Sequence, residues 1–169
     1  MAGPGQKKLL ALDSNLLFDL AAEKDFSHTF REVYQERGYT LMVPPTVVQE
    51  LTYCALVKQS PESPLALRAL QKLRFWHLTP FDLKSVGHGI TERFSEKLMR
   101  LGLLPEGEFN DGLILAETAL AGIPVLVTSD TDLLDIEEIP LRIQFGEADL
   151  PPVQICHPKL LLKAVSPGR

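Results

Sequence analysis

"VLVTSDTDLL", residues 125 to 134, decides how the rest of the chain is read. Its first half is a run of aliphatic and β-branched side chains suited to a buried strand. It ends in two acids, Asp130 and Asp132. Burying one carboxylate is costly, and two so close repel each other. A buried strand that stops at paired acids points to a positive charge held beside it.

The same punctuation recurs along the chain. "LLAL", residues 9 to 12, is a short strand run ending at Asp13, and "SNLLFDLAAEK" after it places Leu16, Leu17 and Leu20 on one helical face. A second helix is expected over 27 to 37, where Phe30, Val33, Tyr34 and Arg37 keep a 3.6 period and Gly38 stands at the stop. "YTLMV", residues 39 to 43, reads as a strand, and Thr46 with Gln49 makes a capping-box pair that opens the helix carrying Glu50. "FNDGLILAETALAG" reads as a helix with Asn110 as N-cap and Asp111 in its first turn, followed by "IPVLVT" as the central strand. "LRIQF", the acidic loop "GEADLPP", the strand "VQIC" and the helix "PKLLLKAV" complete the order. Strands alternating with helices predict an α/β fold: a three-layer α-β-α sandwich around a mostly parallel sheet.

The middle of the chain carries weaker signals. "KQSPESP", residues 58 to 64, is expected as an exposed loop, 65 to 74 as a helix and "FWHLTPF" as an extended piece or strand. The "GHG" at 87 to 89 lacks the third glycine of a dinucleotide fingerprint and reads as a turn. From Thr91 to Leu101 the pattern is helical, with Arg93, Lys97 and Arg100 along one face. That basic stripe is read either as a solvated face paired with Glu92 and Glu96 or as a local patch for a polyanion such as a nucleic acid.

Composition limits what the positive charge can be. At 169 residues, 45% hydrophobic and 23% charged, the sequence suits a single domain over 1 to 169 with a proper core. Its net charge of -5 excludes the general attraction to nucleic acid of a basic protein, so any polyanion contact is local. Cys54 and Cys156 lack zinc-site or disulfide-scaffold spacing, which suits a reducing compartment. No long apolar stretch marks a membrane span, and the opening MAGPGQKK lacks a signal-peptide core, so a cytoplasmic location is expected. The four histidines are dispersed and form no metal or catalytic pair. "LDSN" has Asn15 where an aspartate-nucleophile phosphatase needs its second acid.

Five acids share one kind of position. Asp13, Asp111, Asp130 and Asp132 stand at strand-to-helix junctions or helix starts, and Glu50 lies just inside a helix. In an open parallel sheet, ligands bind outside the carboxyl ends of the strands. Converging there, the five would suit a hard divalent cation, Mg²⁺ or Mn²⁺, which prefers oxygen ligands. Each acid also has an ordinary explanation: Asp13 as a cap, Asp111 as a partner of the helix dipole, Asp130 to Asp132 as a turn. Glu50 fits that explanation least, because it lies beyond the first turn and its side chain leans back toward the strand ends.

"LLALDSNLLFDL", "MVPPTVVQEL", "NDGLILAETALA" and "PVLVTSDTDLLD", in that order, resemble the motifs of the PIN-domain ribonuclease family, and "VQICHPKLLLKA" resembles its last strand and helix. The resemblance implies a Mg²⁺- or Mn²⁺-dependent endoribonuclease that cleaves single-stranded RNA. It assigns Asp13, Glu50, Asp111 and Asp130 to the catalytic, metal-binding quartet and Asp132 to a fifth metal-binding carboxylate. Asn15, Thr128 and Ser129 match polar residues lining the site. The segment from about 57 to 105, read as a divergent helical region, matches none of the motifs. For toxin-like members of the VapC type the resemblance further implies an antitoxin protein partner. The resemblance also implies a homodimer paired through helices, as in many members, and the amphipathic stretch 16 to 37 suits either such pairing or packing on its own sheet. The competing reading is a protein-binding module on the same fold, with little or no nuclease activity.

Overall fold

The computed structural model describes residues 8–165. Residues 1–7, which hold most of the opening stretch read above for a leader, lie outside them, as do 166–169. The chain runs β1 (Leu9–Leu12), α1 (Ser14–Ala21), α2 (Asp25–Glu36), β2 (Thr40–Val43), α3 (Pro45–Leu56), α4 (Ser63–Lys72), β3 (Leu78–Pro80) and α5 (Ser85–Arg100). It continues with α6 (Phe109–Leu120), β4 (Val125–Val127), α7 (Thr131–Leu134), α8 (Glu138–Glu147), β5 (Gln154–Cys156) and α9 (Pro158–Val165).

The five strands form one sheet in the order β3-β2-β1-β4-β5. Every pairing is parallel, with Leu10 opposite Leu41, Ala11 opposite Leu126 and Val127 opposite Cys156. Parallel neighbours need long crossovers, which the helices supply, and the sheet is the middle of a three-layer sandwich. Its strands are short and apolar because both faces are covered: Leu10, Leu12, Leu41, Val43, Leu126 and Val127 are all buried. Leu16, Leu17 and Leu20 bury the inner face of α1, as their spacing predicts.

This order places the site. Chain progress from β1 runs outward through β2 and β3, then returns to the other side of β1 for β4 and β5. The connections leaving β1 and β4 therefore diverge, and a crevice opens outside the carboxyl ends of those two strands.

Several local expectations differ from the structure. The helix expected from 27 starts at Asp25. Thr46 makes no capping box: α3 starts at Pro45 with Pro44 as N-cap, and the Thr46 amide and hydroxyl both donate to the buried Glu117 carboxylate of α6. The "GHG" lies within α5, where Gly87 packs against Leu83 and Leu120. Glu108, not Asn110, occupies the N-cap position of α6, and it makes no side-chain capping bond. The segment 57 to 105 contains the edge strand β3 as well as α4 and α5. No helix among the described residues is long and apolar enough to cross a membrane.

Candidate metal centre

Asp13 follows β1 and holds an extended backbone, so its side chain turns back over the start of α1 and accepts the Ser14 amide at 2.7 Å. Its second oxygen accepts the Thr128 hydroxyl at 2.8 Å and the Asn15 amide at 3.3 Å. Thr128 is fully buried at the end of β4, and its oxygen accepts the Asn15 side chain and the Asp130 backbone amide, each at 3.0 Å. Asn15 also accepts the Ser129 amide at 3.2 Å. Asn15 and Thr128 thus lock the β1–α1 and β4–α7 junctions together, and Ser129 joins them through its backbone. Asp130 caps α7 by accepting the Asp132 amide at 2.9 Å. Asp13 thus caps α1, as its ordinary reading has it, Asp130 caps α7 within the turn expected there, and these bonds fix both carboxylates in place.

Asp111 arrives from α6, whose position depends on a close approach to α5. A Cβ at Gly112 would lie 2.1 Å from the Ser95 oxygen and 2.8 Å from Ser95 Cα, so only glycine permits this contact. Ser95 in turn donates to the Phe109 carbonyl at the first residue of α6. With α6 seated, one carboxylate oxygen from each of Asp13, Asp111 and Asp130 lies within 4.8 Å of the others. Two oxygens on one Mg²⁺ stand at most about 4.2 Å apart, given bonds of ~2.1 Å, so side-chain adjustment alone would close the set around an ion.

Glu50 approaches from α3, leaning toward its N-terminus, and Asn110 Nδ2 donates to its Oε2 at 3.5 Å. It lines the same cleft of about 550 Å³ as Asp13, Asp111 and Asp130, but stands outside their close triplet. Asp132 belongs to a second triplet, with Asp130 and Glu108. Glu108 has no place among the five acids read from the sequence. Its signal was the acid-rich "EGEFND", residues 106 to 111, which runs into α6 and puts Glu108 three residues before Asp111.

The electrostatics of the cleft are unfavourable for the carboxylates on their own. Burial, then the charges of Asp13, Asp130 and Glu108, push the Asp111 carboxyl up to about 9. Burial and the Asp13 charge push Glu50 up to about 7. Asp13 is raised chiefly by burial, against the bonds from Thr128 and Ser14. Asp111 Oδ2 and Glu50 Oε1 are buried without a hydrogen-bond partner. Such orphaned carboxyl oxygens are costly, and a divalent cation would favour their ionised form and satisfy the lone pairs. The residues present fit a hard metal ion.

The basic stripe lies elsewhere. Lys97 pairs with Glu147 at 2.6 Å, and Arg93 and Arg100 are exposed on α5. The described lining of the acidic cleft includes none of the three.

Comparison with known proteins bears on the fold and the family. The family model for the PIN domain matches residues 10–139. The chain belongs to the PIN domain family. Among solved structures, this PIN domain is similar to a chain of VapBC2 from Rickettsia felis, bound to a DNA fragment from their promoter. The TM-score is 0.60 at 17% identity, over 88% of this chain and 98% of that one. It is also similar to VapBC-1 from nontypeable Haemophilus influenzae, with TM-score 0.58, 16% identity, and 89% and 98% of the two chains covered. FitAcB from Neisseria gonorrhoeae gives a TM-score of 0.50 at 16% identity, with 89% and 98% covered. At such identities the likeness shows the fold. No curated protein matches the PIN domain sequence significantly.

Proposed function

We propose that the chain is a divalent-metal-dependent endoribonuclease that cleaves single-stranded RNA, and that it acts as the toxin of a toxin-antitoxin pair. The observation that carries this reading is the triplet of Asp13, Asp111 and Asp130 oxygens within 4.8 Å, with Asp111 Oδ2 buried and unpartnered beside them. Asp13, Asp111 and Asp130 would hold the ion, Mg²⁺ or Mn²⁺, with Glu50 beside it and Asp132 reaching it from the rim. A bound divalent cation supplies Lewis-acid polarisation of a phosphodiester and a water of lowered pKa.

The chain's own residues do the rest. Glu50, lining the cleft and accepting from Asn110, is placed to take a proton from the attacking water. Asn15 and Thr128 keep Asp13 and Asp130 from rotating away. Without a cation, the anionic cleft repels phosphate, so RNA binding and metal binding are coupled. An antitoxin partner is supported by the likeness to VapBC2, whose structure includes promoter DNA. Soluble, cytoplasmic action and pairing as a homodimer belong to the same proposal.

Purified protein with Mn²⁺ should cut unstructured RNA, and Asp13→Ala or Asp130→Ala should abolish cutting while circular dichroism stays unchanged. Cutting that survives both substitutions rejects this site.

A further inference from the structure

The acidic cleft does not end at Glu50. It opens into a second compartment of about 440 Å³, which shares Glu50 and Glu62 with the first and is walled by Gln49, Tyr53, Lys58 and Asn110. Tyr53 follows Glu50 by one turn of α3, on the same side of the helix. Tyr53 is 56% exposed, whereas Val47 and Leu51 of the same helix are fully buried, so the core does not require it. Lys58 makes no ion pair among the described residues. Beside a cluster of carboxylates, the structure therefore sets an aromatic face, two side-chain amides and an unneutralised ammonium group.

That combination suits one nucleotide unit. Every base has a π-face that stacks on an exposed aromatic ring, amides match the donors and acceptors of a base edge, and an ammonium takes a phosphate. Glu62, at the junction of the two compartments, disfavours a phosphate there. The favourable places for backbone charge are then the acid cluster, once it holds a cation, and Lys58.

We propose that this compartment is a nucleobase subsite: the base adjoining the scissile phosphate stacks on Tyr53 with its edge toward Gln49 and Asn110, and the next phosphate meets Lys58. The proposal rests on the nuclease reading above and deepens it. A base held in a duplex cannot turn onto Tyr53, so the subsite selects unpaired RNA and reads the nucleotide beside the cut.

The test is a cycle of protein and substrate changes with Mn²⁺-loaded enzyme. Short single-stranded RNAs are used intact and with an abasic sugar at each position flanking the cut. Tyr53→Ala and Tyr53→Leu should each raise KM on intact RNA by about tenfold. Tyr53→Phe, which keeps the ring, should stay near wild type. The abasic substitution at one flanking position should raise the wild-type KM comparably and add nothing to Tyr53→Ala. Losses that simply add overturn the subsite, because the ring would then act through something other than the base. An unchanged KM for Tyr53→Ala, with wild-type cleavage intact, also overturns it and leaves the compartment to a protein segment. Wild-type protein that cuts no RNA at all rejects the nuclease reading, and the subsite with it.

Discussion

The Thr128 hydroxyl donates to Asp13 Oδ2 at 2.8 Å across 115 residues of chain, joining the ends of β1 and β4 at the point where their connections part. The same oxygen accepts the Asp130 amide, so one buried atom aligns two carboxylates of the candidate centre. Thr128→Val keeps the shape and removes these two bonds and the one accepted from Asn15. Leaving buried polar groups unmatched costs about 1–3 kcal/mol. The variant should lose that much stability in urea unfolding and show a smaller rise in melting temperature with Mn²⁺. Thr128→Ser should retain both properties, and a Thr128→Val variant that behaves as wild type removes Thr128 from the site's framework.

Asp111 presents the sharpest conflict between stability and function. Its carboxyl is pushed up to about 9 because the folded chain buries it among other acids. Asp111→Asn keeps the size and removes the cost of holding a buried carboxyl protonated among other acids, so the metal-free protein should gain stability and melt higher by about 3 °C or more at pH 8. The same variant should lose RNA cleavage and most of the Mn²⁺-induced rise in melting temperature. A destabilised Asp111→Asn would mean that the charge has a favourable partner in the folded chain.

The pH dependence of the metal-free protein follows from the same shifts. Glu50 is raised from 4.5 to about 7 and Asp111 from 3.8 to about 9, so both bind protons more tightly folded than unfolded. The stability they contribute is complete below about pH 4 and is lost as pH rises through about 7 and then about 9. In chelator, melting temperature should fall steadily from pH 5 to pH 9. Mn²⁺ competes with those protons, so the rise it produces should grow with pH over the same window. Parallel melting curves with and without Mn²⁺ at every pH would contradict both expectations.

Much of this arrangement could be read from the sequence because its signals are local. An apolar run ended by Asp marks β1 and β4 equally well, and Leu16, Leu17 and Leu20 declare the buried side of α1 without help from elsewhere. What escaped reading depends on partners far along the chain. Thr46 and Gln49 have capping-box spacing, yet Thr46 is held by Glu117, 71 residues away. Gly87 and Gly89 have weak helix propensity, yet both lie within α5, where Gly87 is buried and a Cβ there would stand 3.3 Å from Leu83 Cβ and 3.6 Å from Leu120. The approach to β3 turns on His77 with φ 55, a left-handed conformation that a histidine does not advertise. β3 itself is an edge strand with only Leu78 buried, so no apolar run announces it. Among the acids, Asp13, Asp111 and Asp130 met as their junctions suggested, whereas Glu108 was obscured because Asn110 is the better cap by residue type.

Glu117 supplies a prediction independent of the metal. It is buried at 3% exposure, and its carboxylate takes the Thr46 amide and hydroxyl at the start of α3, the helix that presents Glu50. Burial raises its pKa against those two bonds and, after them, the charge of His88. Glu117→Leu strands the amide and hydroxyl together, which should cost about 1–3 kcal/mol in urea unfolding. Thr46→Val should cost less, because the backbone amide still reaches Glu117. Combining the two should cost less than their sum, since the hydroxyl and its acceptor are then both gone. Strict additivity in the double variant would show that Glu117 and Thr46 act on stability separately and that α3 is seated by other contacts.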